Sequence, residues 1–193
     1  MIGDDIYIKF TISKIKRNPI CTDPKTFTGI MNYLEKVREV GKELMNEGEY
    51  INAQDLYKRI LPQFKNMPKT MRDALSKDEH QQRNDALHLL LLNISFCHLK
   101  RNQPIEAVKT AHEAMEYNKE NPKGYYRLAM AQKANGEFDQ AKENMIKAIN
   151  MSPADQSLRT EYKNLLDHMN AKKKEWYSKM SGFLHSEKMR KIE

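Results

Sequence analysis

The chain has 193 residues, 31% of them charged, a formal net charge of +7, and only 7 glycines and 7 prolines. That length suits one sizeable domain, and so much charge with so few chain breakers suits helices better than a sheet or a disordered tail. No apolar run reaches the roughly 18 residues of a membrane span, and the start, MIGDDIYIKF, carries acids where a secretory signal is basic.

Ile6, Ile8, Phe10 and Ile12 alternate with polar neighbours, which predicts a strand with one buried face. A lone strand must find a sheet. Either a preceding domain supplies one, or the segment docks on another chain. Asn18-Pro19 and Asp23-Pro24 then read as a linker. Cys21 and Cys97 are too few for a disulfide framework, so a reducing compartment such as the cytoplasm is expected.

Helix begins near Thr28. Val37, Val40, Gly41, Leu44 and Met45 share a face, and Glu47-Gly48-Glu49 makes the turn. Tyr50, Ala53, Leu56, Tyr57 and Ile60 form the next face. Pro62 and Pro68 limit or kink that helix, and residues 65–77 read as an extended, exposed connection. Ser76 with Glu79 offers a capping box for a long helix through Leu99. Asn102-Gln103-Pro104 is the following turn, with Ala107, Ala111 and Ala114 on the helix after it.

The clearest unit is 121–153. Asn121 caps a helix with Pro122 in its first turn, Asn135-Gly136 closes it, and Phe138 to Ile149 gives a second helix before Ser152-Pro153. Ala107 and Ala141 lie 34 positions apart. That is the period of a tetratricopeptide repeat (TPR), a helix pair that buries its apolar faces only against neighbours of its own kind. Ala53 to Ala107 spans 54 positions, a further period plus an insertion in the proline-bearing connection. Gly41, Ser95 and Ala129 then hold the small position of three first helices.

The expected fold is therefore all-α. Three TPR pairs cover about 34–67, 85–118 and 122–152, with an insertion at 66–80 and a long capping helix with a basic tail over 154–193. Residues 1–27 hold the strand-like segment and linker. Leu158, Tyr162, Leu165, Leu166 and Met169 can cover the open end of the stack. The apolar stripe runs on through Trp176, Met180, Phe183 and Leu184, flanked by Lys172, Lys173, Lys174 and Lys179.

In TPR domains the first helices line a concave groove. The resemblance therefore places Arg38, Lys42, Asn93, Lys123 and Arg127 on one wall, four cations and an amide. Their spacing resembles the dicarboxylate clamp of co-chaperone TPR domains, which hold the acidic C-terminus of heat-shock protein 90 or 70. Asn93, Lys123 and Arg127 match that pattern, and Arg38 keeps the charge of a lysine. Lys42 stands where the family has asparagine, and is the departure. The insertion, LLLNISFCHLK and the terminal WYSKM resemble TPR immunophilins, the FKBP-type prolyl isomerases, and IYIKFTISKIK resembles the last strand of their isomerase domain. The likeness is good over 28–184 and weak over 5–16. The aromatic isomerase pocket has no counterpart in the sequence, so isomerase activity is not expected from it.

Other signals are weaker. A basic amphipathic helix around Lys173, Trp176, Tyr177 and Met180 could dock a partner such as calmodulin. The six histidines lack ligand spacing, so neither metal nor another cofactor is expected. The groove lacks the interleaved aromatics of nucleic-acid binders. No membrane contact is expected. The leading expectation is a co-chaperone adaptor. The alternatives are a structural TPR subunit of a large assembly, docking by its strand and last helix, and a fragment of a prolyl isomerase.

Overall fold

The computed structural model describes residues 26–190, with side chains as far as Ser181. The strand expected over residues 5–12, Cys21, and the stripe residues Phe183 and Leu184 lie outside this description. Within it the chain forms α1 (Phe27–Asn46), α2 (Tyr50–Lys65), α3 (Lys69–Asp73), α4 (Lys77–Lys100), α5 (Pro104–Tyr117), α6 (Pro122–Asn135), α7 (Phe138–Met151) and α8 (Gln156–Arg190). Three hairpins, α1–α2, α4–α5 and α6–α7, stack in order, and α8 packs on α7. Among the described residues there is no strand, and no helix is long and apolar enough to cross a membrane.

The repeat is written in its turns. Gly48, Asn102 and Gly136 all take positive φ (82°, 56° and 83°). After each, a backbone N–H reaches back to the helix just ended: Glu49 to Leu44, Gln103 to His98, Glu137 to Gln132. This left-handed cap satisfies carbonyls that a helix end leaves unpaired, and glycine or asparagine adopts it at least cost. The same register governs packing. Ala53, Ala107 and Ala141 are completely buried, where the two helices of each hairpin cross. Opposite them, Gly41 lies so close to Tyr57 that a methyl group would fall 2.3 Å from its hydroxyl. The Ser95 hydroxyl donates to the Ala107 carbonyl at 2.7 Å.

Start signals also act as their chemistry dictates. Ser76 and Glu79 form a reciprocal capping box at α4. The Asn121 side chain accepts from the Lys123 N–H at 3.0 Å, with Pro122 in the first turn of α6. The connection between the first two hairpins departs from the extended segment expected. Helix α2 runs through Pro62 to Lys65, and a short helix, α3, fills the middle of the connection. Met67 is buried, and Met71 and Leu75 pack on the core of the first repeat. Methionines and a leucine spaced along the insertion give it an apolar side, so burial outweighs the two prolines. Arg83 fastens the junction, its Nε and Nη2 donating to the Phe64 carbonyl at 3.0 and 2.7 Å.

The first core, from Phe27 to Cys97, joins repeats one and two. A second joins Ala129, Ala141 and Met145 to Leu165 of α8, with Tyr162 and Met169 beside it. Beyond Asn170 every described side chain of α8 is exposed. The last helix caps the stack over its first half and then leaves it.

Candidate functional site

Helices α1, α4 and α6 carry the five residues that the repeat register assigns to one wall. Arg38 projects from the middle of α1, partly exposed, and its guanidinium pairs with Glu35 at 2.8 Å one turn away. Lys123 and Arg127 lie one turn apart at the start of α6, which Asn121 and Pro122 fix in place. The Lys123 ammonium is held below the ordinary lysine value, first by loss of solvent and then by the like charges of Arg127 and Arg38. The Lys123 side chain is nonetheless exposed in part, so this field acts at the rim of the groove rather than in the core. Like charges from the first and third repeats therefore both act at Lys123.

Arg127 is the deepest of them. Burial lowers its pKa, opposed by Tyr126 and Cys97. Its Nε is buried without a hydrogen-bond partner. The guanidinium lies instead over the Phe96 ring, with Cζ 4.2 Å from the centroid. Phe96 was not among the residues singled out from the sequence. The signal was present, since it follows Asn93 by three positions and so shares its face of α4. Lys100 also approaches this ring, its Nζ 5.4 Å from the centroid. Tyr50 meets it edge-on at 6.2 Å.

Asn93 is half-buried and Lys42 exposed, and neither makes a hydrogen bond or ion pair among the described residues. The like charges of Arg127 and Arg38 act on Lys123, whereas Asn93 and Lys42 have only their helix faces to link them to the group. Two concavities lie along α6, and only the first is lined by Lys123 and Arg127. One, of about 300 Å³, lies between Lys123, Tyr126 and Arg127 and the start of α8 at Asp155 and Ser157. The other, of about 680 Å³, lies further along the same helices, between Leu99, Met130, Phe138 and His168, with Lys133 and Lys172 at its rim.

The remaining sequence candidates are placed simply. Trp176 and Tyr177 are each 55% exposed and Met180 38%, with Lys173 over the Tyr177 ring at 5.9 Å. Cys97 is fully buried, and burial pushes its thiol up to about 11 against the pull of Arg101, Arg127 and Lys58. It is a neutral core thiol. His88 is buried, its Nδ1 2.9 Å from the Ala114 carbonyl, and burial lowers its pKa. Among the described residues no cluster of three His, Cys, Asp or Glu could hold a metal ion.

This architecture defines a tetratricopeptide-repeat domain, and the Tetratricopeptide repeat family matches residues 122–155 directly. The domain resembles the TPR regions of FKBP-type isomerases. Peptidyl-prolyl cis-trans isomerase PASTICCINO1 of Arabidopsis thaliana is 31% identical over 132 residues, 67% of this chain but 20% of that protein. The chain thus spans about a fifth of the length of the curated relatives it first matches. The C-terminal TPR-containing domain of a Plasmodium falciparum FK506-binding protein superposes with a TM-score of 0.61 at 22% identity, covering 77% of this chain and 96% of that one. The second TPR domain of human RPAP3, solved with the HSP70 peptide SGPTIEEVD, gives 0.51 at 20% identity over 67% and 91%. The first TPR of Spaghetti (RPAP3), bound to the HSP90 peptide SRMEEVD, gives 0.54 at 16% over 71% and 93%. The fold is thus similar to that of TPR domains solved with HSP70 and HSP90 peptides.

Proposed function

We propose that this domain is a protein-interaction adaptor of co-chaperone type, whose inner wall binds the acidic C-terminal peptide of a heat-shock chaperone of the HSP90 or HSP70 class. The carrying observation is the like-charge field that Arg38 of the first repeat and Arg127 of the third impose on Lys123, itself in the third repeat. A ligand carboxylate relieves it. Charge-assisted hydrogen bonds of roughly 1.5–3 kcal/mol each supply the affinity. Asn93 offers an amide to the peptide backbone, and Lys42 adds a fourth cation where the terminal carboxylate ends. Lys123→Ala and Arg127→Ala should each weaken an EEVD-ended peptide by about tenfold or more, measured by calorimetry on variants with unchanged melting curves. Wild-type affinity in both variants would refute the assignment.

On this reading the TPR domain contributes recognition rather than chemistry, and the cytoplasm is its natural compartment. A second reading is favoured by one observation: Trp176, Tyr177 and Met180 stand exposed on the unsupported half of α8. These residues would dock the domain into a larger assembly, with the adaptor groove vacant or secondary. Trp176→Ala and Tyr177→Ala should then abolish co-sedimentation with the assembly while leaving peptide binding intact.

A further inference from the structure

We propose that Phe96 is a positioning residue of the groove: its ring holds Arg127 ready to meet a carboxylate. The inference rests on the carboxylate reading above, and concerns what makes one of its cations effective.

An arginine pointing into an open groove has four side-chain torsions to fix before it can bind, and a ligand ordinarily bears that entropy cost. Arg127 has been spared part of it. Its guanidinium sits over Phe96, Cζ 4.2 Å from the ring centroid, with the Tyr126 ring further off at 5.8 Å, while its buried Nε makes no hydrogen bond. An acidic partner would have held the side chain equally well, but would also have cancelled its charge. The face of an aromatic ring attracts the cation without using any of its N–H donors. Arg127 is therefore oriented and still unsatisfied, which is the state a carboxylate site requires.

The ring is itself held. Tyr50, at the start of α2, meets Phe96 in a T-shaped contact with the planes at 83°. Tyr50, Phe96 and Arg127 come from the first, second and third repeats respectively, so the contact chain ties together the three hairpins that build the wall. Lys100 approaches the same ring but at a longer 5.4 Å, so the ring also keeps a second cation near the groove. The arrangement depends on arginine's flat, weakly hydrated head. Lysine at 127 would keep the charge and lose most of the stacking.

The test uses the full chain and the peptide SRMEEVD, titrated calorimetrically as the free acid and as the C-terminal amide. Phe96→Leu keeps an apolar side chain without a π face, and should weaken the acid peptide about three- to tenfold. Phe96→Tyr should restore binding. In an Arg127→Ala background the further change Phe96→Leu should have little effect, which a purely structural role for Phe96 would not produce. A readout independent of ligand is the Arg127 Nε–Hε NMR signal, which the ring current should shift further upfield in the parent and Phe96→Tyr than in Phe96→Leu, where only the more distant Tyr126 ring remains. Equal losses with and without Arg127, or an unshifted Arg127 signal in the parent, would overturn the role of Phe96 while leaving the groove reading intact. Equal binding of acid and amide by the parent chain would overturn both.

Discussion

Gly41 offers a prediction whose sign runs against a common rule. Replacing a glycine inside a helix with alanine ordinarily stabilises it by about 1 kcal/mol, because alanine has less freedom to lose. Gly41 lies mid-helix in α1, yet a Cβ there would sit 2.3 Å from the Tyr57 hydroxyl oxygen, 2.4 Å from Cζ and 2.8 Å from Cε1. Comfortable contact needs roughly 3.5 Å, so the ring must retreat by about an ångström. Tyr57 is completely buried and has no space to enter. Overpacking of this kind costs about 1–3 kcal/mol, which exceeds the gain in helix propensity. Gly41→Ala should therefore lose about 1–2 kcal/mol net, read as a lower urea midpoint by circular dichroism. With Tyr57→Leu already in place the clash is gone, and adding Gly41→Ala should be neutral or stabilising. A Gly41→Ala chain as stable as the parent would refute the packing argument. A loss unrelieved by Tyr57→Leu would do so as well.

Other expectations follow from single contacts. Arg83→Ala removes both donors from the Phe64 carbonyl at the end of α2, and should lower stability by about 1–2 kcal/mol, with lysine recovering only part. His88 has a folded pKa below its unfolded value because burial disfavours the cation. The unfolded chain therefore takes up the proton first, so the contribution of His88 is intact above the unfolded pKa near 6.5 and falls as pH drops below it. Urea midpoints at pH 7.5 and 5 should separate more for the parent than for His88→Leu. Lys123 loses its proton earlier than an ordinary lysine, so peptide affinity should start to fall before the usual lysine range as pH rises. Affinity that holds until an ordinary lysine would titrate, or His88→Leu tracking the parent, would contradict the respective accounts. Trp176 is the sole tryptophan and 55% exposed, so emission should match solvated indole and Trp176→Ala should shift stability by no more than about 0.5 kcal/mol.

The parts of this architecture legible in the sequence are those fixed by local chemistry. Positive-φ turns need glycine or asparagine, which is why Gly48, Asn102 and Gly136 announce themselves. Ala53, Ala107 and Ala141 are conspicuous because a close helix crossing tolerates little else. Ser76-Glu79 and Asn121-Pro122 are read directly as helix starts. The insertion was less legible. Two prolines suggested extended chain, but Met67, Met71 and Leu75 find an apolar surface that only the assembled core provides. Phe96 was missed for a similar reason. A phenylalanine in an apolar helix reads as core, and its contact with Arg127 depends on how the second and third repeats stack. On the wall itself, register alone gives the faces of Arg38, Lys123 and Arg127, whereas their shared field exists only once α1 and α6 are brought near each other. Lys42 and Asn93 rest on register in sequence and structure alike.

The proposed recognition depends on a free carboxylate as the ligand. Its most direct test is calorimetric titration of the full chain with SRMEEVD as the acid and as the C-terminal amide, at low and high salt. The acid should bind with a Kd of micromolar order, near −8 kcal/mol, weaken as salt screens the groove, and lose most of its affinity on amidation. Indistinguishable affinities for acid and amide, or binding indifferent to salt, would contradict it.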